Sequence, residues 1–503
     1  MTLLILAGAF VRLPGLAEPL LEGAAGKQTH IAMVARNLHR GRATWTRPRV
    51  DDVGKPGYFV KEFPVVPILA AAAYSAAGEV DERYLRLIGI AAWLLALPIV
   101  AALLRRPLGP RGALWAGLWF VLSPMGIVYS RAAMNDAPAV AMSLAALAAV
   151  AAWRRRPGIG VTGLVGLLVT AAFLMKPHSA FWLGPAAALL TLAPGTTDAA
   201  PKPSTGQSAA LIGTALAALG LAGLWYLHAA QIHRVHPVPG ATVAEGWIAP
   251  GLLLHPGLYL EIGRQALMMV FTPIGALLAV LGTLRGRRFR TVERALMLWG
   301  GGVVLQCLVF APRMFDDLSR GTEYYQLALV PTAALLIARG LEQVFTWSAE
   351  RRPAVRATTA TLIALLITGA LLEARAASRP PAQYGSLLAD CAQVRAATNP
   401  AADMLVLADR GGTVLYYCDR RGQTFSLAGA VNETIMEKSV AASPLQVSRA
   451  LASADYVYVP FPELLTNSEA FLEDLSQHWA DVPLPDSDAR LFARPDVGRS
   501  GRP

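Results

Sequence analysis

Residues 83–111 read RYLRLIGIAAWLLALPIVAALLRRPLGPR. The apolar part is long enough for a helix to cross a hydrocarbon layer of roughly 30 Å, which takes about 20 residues, and it stops at Arg105 and Arg106. Working outward, apolar segments recur at 83–104, 113–129, 137–153, 159–175, 179–194, 209–228, 266–284, 295–312, 324–341 and 357–373. With the N-terminal run they predict about eleven spans. Adding the 44 glycines to the 54% apolar fraction and removing the 13 tyrosines gives about 60%, against roughly 45–50% in soluble domains. Only 16% of residues are charged, against roughly 25%. A disordered chain and an ordinary cytosolic enzyme are excluded, and three cysteines exclude a disulfide framework.

The first run, Met1 to Val11, reaches about 17 Å before Arg12, short for a span and without a signal-peptide pattern. Either the true start lies upstream or Arg12 snorkels. Four basic clusters fix the orientation: Arg105, Arg106 and Arg111; Arg154 to Arg156; Arg285, Arg287, Arg288 and Arg290; and Arg351, Arg352 and Arg356. All fall at one face if the spans alternate, and that face is expected to be cytoplasmic in a multi-pass protein of the bacterial plasma (inner) membrane.

The net charge of +11 is uneven. Residues 1–378 carry 34 Lys+Arg against 19 Asp+Glu, and 379–503 carry 11 against 15. Basic residues beside apolar spans read first as orientation signals and then as contacts to anionic lipid or phosphate. Membrane lipids are therefore expected partners, and nucleic acid is not. Two domains are expected: a transmembrane domain, 1–378, whose outer loop 17–82 has interfacial helices at 24–40 and 63–77, and an extracytoplasmic α/β domain, 379–503. In the latter DMLVLAD, TVLYYC and ADYVYVP read as strands, and 385–397 and 468–478 as helices. Cys391 and Cys418 lie there, and without known partner geometry they are expected as free thiols.

Two motifs fail. EGAAGKQT places Gln after the lysine where a phosphate loop needs Ser or Thr, and His228, His233, His236 and His255 match no standard zinc spacing.

In the outer loop, GKQTHIAMVARNL from Gly26, PRVDD from Pro48 and PGYFVKEFPVVPILAAAAY from Pro56 resemble bacterial glycosyltransferases of the protein O-mannosyltransferase and aminoarabinose transferase type, the GT-C fold. SPMGIVYSRAAMNDAP resembles the family's second acidic turn, FLMKPHSAF its Lys-Pro turn, and TEYYQLALVP the start of a late span. The resemblance covers residues 1 to about 345. It implies an α-helical polytopic membrane enzyme that takes a sugar from a polyprenyl-phosphate donor to a cell-envelope glycan, lipid or protein acceptor at the outer face. An outer-loop carboxylate would take the acceptor's proton, but where family members often carry Asp this chain has His30.

Attack of a hydroxyl on an anomeric carbon needs a base and a cation for the departing phosphate. Candidate catalytic residues are Asp136, Glu62, Asp51 and His30. Asp136 before Pro138 also makes a good helix cap, and Asp51 with Asp52 reads as an ordinary loop pair. Candidate substrate contacts are Lys176, Lys27 and Arg36 for phosphate and Lys61 beside Glu62, with Glu323, Tyr324 and Tyr325 opening a late span. Asp316, Asp317 and Arg320 before that span read as solvated. No metal ligand is assigned, and a divalent cation on the loop acids is the one candidate cofactor. Two other classes fit the composition: a lipid-linked sugar transporter or flippase, which would place ionisable residues at the bilayer midplane, and a non-catalytic cell-envelope module.

Overall fold

The apolar segments fold as helices in the computed structural model, which describes residues 1–192, 203–238, 249–284, 288–314, 322–349, 353–408, 411–425, 444–462 and 469–496. The chain divides into two compact units. The first comprises Met1–Glu18, Asp81–His228 and Gly246–Arg379, and the second Pro19–Val80, Ala229–Glu245 and Pro380–Pro503. The outer loop from Pro19 to Val80 clusters with the C-terminal segment from Pro380.

Helices Asp136–Arg155, Ile159–Met175, Ser179–Leu192, Thr205–Val235, Thr291–Val309 and Pro353–Ala377 fall on predicted segments. Three expectations change. The 83–104 segment runs on through Glu82–Leu122, bent at Gly109, whose φ of 77° between Pro107 and Pro110 breaks the helical path. The 113–129 segment divides at Ser123, which turns extended before Pro124 and caps the next helix, Pro124–Arg131. The 266–284 segment breaks at Thr272, leaving Pro256–Phe271 and Pro273–Leu284 bent by 91°.

Among the described residues six helices are long and apolar enough to cross a membrane, or up to seven if the bent pair is one span. Of the other expected spans, Ile159–Met175 has 17 residues, Ser179–Leu192 has 14 and Thr2–Phe10 has 9.

Arg12 does not snorkel. Its guanidinium is buried and donates to Ser130 Oγ (2.7 Å) and to the carbonyls of Gly8 (2.8 Å), Gly126 (2.9 Å) and Val121 (3.1 Å). A second buried arginine, Arg339, donates to Glu293 Oε1 and to the Gly282 carbonyl, both at 2.8 Å. Two of the basic clusters meet where Arg290 donates to the Arg106 carbonyl at 3.0 Å, and Arg111 pairs with Glu342 at 2.8 Å. Arg285, Arg287, Arg351 and Arg352 lie outside the described residues.

In the second unit helix Ala25–His39 packs on Val65–Ala77 and on Gly411–Cys418. Strands β1 (Asp403–Leu407), β2 (Arg421–Phe425), β3 (Tyr456–Val459), β4 (Ala480–Val482) and β5 (Arg490–Ala493) form one sheet in the order β2-β1-β3-β5-β4. β1 is parallel to β2 and β3, while β5 is antiparallel to β3 and β4. The outer loop extends the β2 edge through Gly54 N to Gly422 O (2.7 Å) and Gly422 N to Asp51 O (2.8 Å).

TVLYYC, expected as a strand, is helical, because a short apolar run has no periodicity of its own and here buries Val414, Leu415 and Cys418. The free-thiol expectation is corrected as well: Cys391 and Cys418 form a disulfide joining helix Leu387–Ala397 to Gly411–Cys418.

Helices Pro273–Leu284 and Val330–Ala349 approach through glycine. A Cβ at Gly340 would run into the Leu278 carbonyl, and one at Gly282 into that of Leu336. Gly340→Val is therefore expected to separate this pair and abolish monodisperse protein in detergent, while Gly301→Ala, at a position with open space, is neutral. Size-exclusion profiles of the two variants check this.

Candidate active site

Two groups of polar side chains stand out, one in each unit. In the first unit Asp136 opens helix Asp136–Arg155, and Lys176 follows the last residue of Ile159–Met175 in extended backbone. The Lys176 ammonium donates to Asp136 Oδ1, and both side chains are only 3% exposed. Arg154 and Arg155 lie at the other end of the same helix as Asp136. The carboxylate is thus committed to an ammonium, beyond any capping of its helix.

Aromatic rings line the cation. Lys176 Nζ lies 4.9 Å from the ring centre of Tyr324 and 5.2 Å from that of Tyr325. The Tyr325 ring stacks on Phe310 at 5.6 Å, and His178 lies 4.4 Å from Phe310. Tyr324 and Tyr325 belong to the 3-10 turn Glu323–Leu329, which Glu323 opens half-buried. Asp316, Asp317 and Arg320 lie outside the described residues.

The second unit gathers most of the outer-loop candidates. His30 Nε2 lies 2.7 Å from Asp52 Oδ2, with His30 27% and Asp52 7% exposed. The His30 ring sits 4.7 Å from Phe59, over which Lys61 Nζ lies at 4.5 Å. Lys27 and Glu62 face each other at 3.9 Å, both partly exposed.

Asp51, the neighbour of Asp52, goes elsewhere. Its oxygens accept from Arg36 Nη2 (2.9 Å) and Asn37 Nδ2 (3.1 Å), while Arg36 Nη1 donates to the Tyr416 carbonyl (2.8 Å) and lies 3.2 Å from Asp419. Arg36, expected as a phosphate contact, is a buried cross-link between the loop and the C-terminal segment, and Asp51 is its anchor. Burial alone would lower the Arg36 pKa, but the charges of Asp51 and Asp419 outweigh it and hold it above the ordinary value. Burial would likewise raise the Asp419 pKa, but hydrogen bonds from Arg40 and the charges of Arg36 and Arg40 hold it below the usual carboxylate value.

Asn37, Gly412, Tyr416 and Asp419 escaped the sequence reading, because the last three lie almost 400 residues from their partners and no local pattern marks them. Among the described residues no three His, Cys, Asp or Glu side chains gather as a metal centre. Of the four outer histidines, His233 Nε2 is engaged with the Val60 backbone (2.9 Å) and His236 packs on Tyr58 (5.2 Å).

Residues 56–227, about a third of the chain, match the family described as dolichyl-phosphate-mannose-protein mannosyltransferase, and the match includes Asp136 and Lys176. No curated protein sequence matches the chain. Among solved structures, ArnT from Cupriavidus metallidurans in the apo state aligns with a TM-score of 0.64 at 15% identity, covering 100% of this chain and 99% of that one. ArnT bound to undecaprenyl phosphate aligns at 0.61 and 14%, with the same coverage. The oligosaccharyltransferase AglB from Archaeoglobus fulgidus, in complex with an inhibitory peptide and a dolichol-phosphate, aligns at 0.56 and 14%, covering 98% of this chain and 73% of AglB. The fold is the GT-C fold, a helical membrane architecture with a small sheet.

Removing either partner of a buried ion pair leaves an uncompensated charge, at a cost of roughly 3–5 kcal/mol, whereas removing both is far cheaper. Asp136→Ala and Lys176→Met should therefore each lower the melting temperature more than the double variant does, which a thermal double-mutant cycle measures. For Asp419 the folded pKa lies below the unfolded one, so its stabilisation is present above the ordinary value of 3.8 and is lost as pH falls through the folded value. Asp419→Asn is expected to remove this acid-dependent loss, read as the slope of melting temperature between about pH 2 and 5.

Proposed function

We propose that this chain is an integral membrane glycosyltransferase that moves a sugar from a polyprenyl-phosphate carrier to a cell-envelope acceptor hydroxyl. The observation that carries the reading is the Asp136–Lys176 pair, buried against Tyr324 and Tyr325, inside the stretch that matches a lipid-phosphate-sugar transferase family. The GT-C fold, shared with ArnT bound to undecaprenyl phosphate, supports the same donor chemistry. In this reading the reaction takes place at the extracytoplasmic face of the bacterial inner membrane. The meeting of Arg290 with the Arg106 carbonyl supports a common cytoplasmic end for two of the basic clusters.

Lys176 holds the donor phosphate through the charge of its ammonium, Asp136 orients it, and the tyrosines and Glu323 line the sugar. In the second unit Lys27, Lys61 and Glu62 form a partly exposed charged group, and Arg36 with Asp51 holds the scaffold of that unit. The acceptor oxygen displaces the carrier phosphate directly, with inversion at the anomeric carbon.

Purified full-length protein, given a panel of radiolabelled polyprenyl-phosphate sugars, is expected to turn over at least one of them. Loss of a charge-assisted hydrogen bond in Lys176→Gln should raise the donor Kd by roughly 10- to 100-fold. If neither binding nor turnover of any donor is seen with folded wild type, the reading fails and the non-catalytic or transporter classes take its place.

A further inference from the structure

Gln306 lies on helix Thr291–Val309 fully withdrawn from solvent, and neither Oε1 nor Nε2 has a hydrogen-bond partner among the described residues. No other buried side chain among them leaves two polar atoms unbonded. Buried glutamines elsewhere in the first unit are engaged: Gln265 Nε2 donates to Glu261 Oε1 (2.9 Å), and Gln326 Nε2 donates to Gln265 Oε1 (3.1 Å) and to the Ile262 carbonyl (3.2 Å). Withdrawing an amide from water without giving it a partner is costly. A core position that needed only packing would be better filled by leucine or methionine.

The neighbours of Gln306 along its helix tie it to the Lys176 group. Residues four apart share a helix face, so Gly302 lies one turn before it and Phe310, the capping residue, one turn after. The Phe310 N–H donates to the Gln306 backbone carbonyl at 2.9 Å, and the Phe310 ring stacks on Tyr325 and lies 4.4 Å from His178. On the other side, a Cβ at Gly302 would run into the Phe181 carbonyl, so glycine there brings the first turn of helix Ser179–Leu192 against this face. That helix begins three residues after Lys176, whose ammonium lies 5.2 Å from the Tyr325 ring. Gln306 thus sits, along its helix, between the close contact at Gly302 and the aromatic wall of Phe310 and Tyr325. Trp182, on the facing helix, is buried as well, with Nε1 unbonded among the described residues.

On these observations, and resting on the transferase reading above, we infer that Gln306 is a specificity-determining residue of the donor site, its amide recognising a hydroxyl of the carrier-linked sugar. A hydroxyl both donates and accepts, and a side-chain amide does the same, so a sugar hydroxyl pairs with Oε1 or with Nε2 and adjacent hydroxyls with both. The ionised phosphate of the carrier only accepts and would leave Oε1 bare. The amide therefore suits the neutral polyol end of the donor and leaves the anionic end to Lys176. Being uncharged, it also adds no charge that competes with the Asp136–Lys176 pair. A site that hydrogen-bonds a substrate hydroxyl rejects the analogue lacking it, because the buried polar group is then left unpaired.

The test measures equilibrium binding to the full chain of undecaprenyl phosphate and of undecaprenyl-phosphate-linked pentoses and hexoses, each sugar with its monodeoxy analogues. Gln306→Met keeps the length of the side chain and removes both polar atoms. It is expected to leave the Kd for undecaprenyl phosphate unchanged and to raise that for the linked sugar by roughly 10- to 100-fold. One monodeoxy analogue should bind wild type more weakly by a similar factor, yet bind Gln306→Met as well as the parent sugar does, a coupling that a structural amide would not produce. Without ligand, Gln306→Met should melt at or above the wild-type temperature, because it removes a buried polar group that has no partner. Equal affinity of the two proteins for every linked sugar, or the absence of any coupled analogue, overturns the assignment and leaves the transferase reading standing. So does an equal loss for undecaprenyl phosphate and linked sugars together with a lower melting temperature. Wild type that binds none of the linked sugars removes the transferase reading, and the Gln306 assignment falls with it.

Discussion

Asp136 and Lys176 are both almost entirely withdrawn from solvent, and each charge is tolerable there only because the other is within bonding distance. The pair ties the start of one helix to the end of the next along the chain, so the turn between spans is held by chemistry as well as by apolar packing. Tyrosine faces beside the ammonium add favourable electrostatics without supplying a second anion. In a low-dielectric setting such an ammonium interacts far more strongly with a negative charge than it would in water.

In the second unit Arg36 does comparable work. One guanidinium joins the outer-loop Asp51 to the Tyr416 carbonyl and Asp419, so a helix near residue 30 and a turn near residue 419 become parts of one scaffold. The Cys391–Cys418 disulfide holds the far side of the same short helix. Gly412, at its start, allows the approach to Asp52 that puts a carboxylate against His30.

Much of the helical plan was legible. Ile159–Met175 begins and ends where the apolar run does, and Ala25–His39 and Val65–Ala77 fall within a residue or two of their predicted limits, because hydrophobic periodicity is a local signal. The span count was less legible. Apolarity cannot reveal that Thr272 adopts a φ of 59° before Pro273, or that Ser123 turns extended, since each break depends on what the neighbouring helices leave room for. The helix TVLYYC failed for a related reason, being too short to show a period.

The site was legible in part. Asp136, Lys176 and Glu62 were candidates from residue type and placement, and His30, Tyr324 and Tyr325 with the help of the resemblance; Asp136, Lys176, Tyr324 and Tyr325 come together in one group. Arg36 was read as a phosphate contact and Asp51 as a catalytic acid because nothing in the sequence shows that they consume each other. Residue chemistry and hydrophobic period are written locally, so the amino-acid sequence by itself determined a membrane chain with candidate polar residues beside the ends of its apolar segments. Which charge meets which was decided by tertiary structure alone. Asp51 and Asp52 are chemically identical neighbours, and only the positions of Arg36 and His30 in the folded unit make one a cross-link and the other the partner of an imidazole.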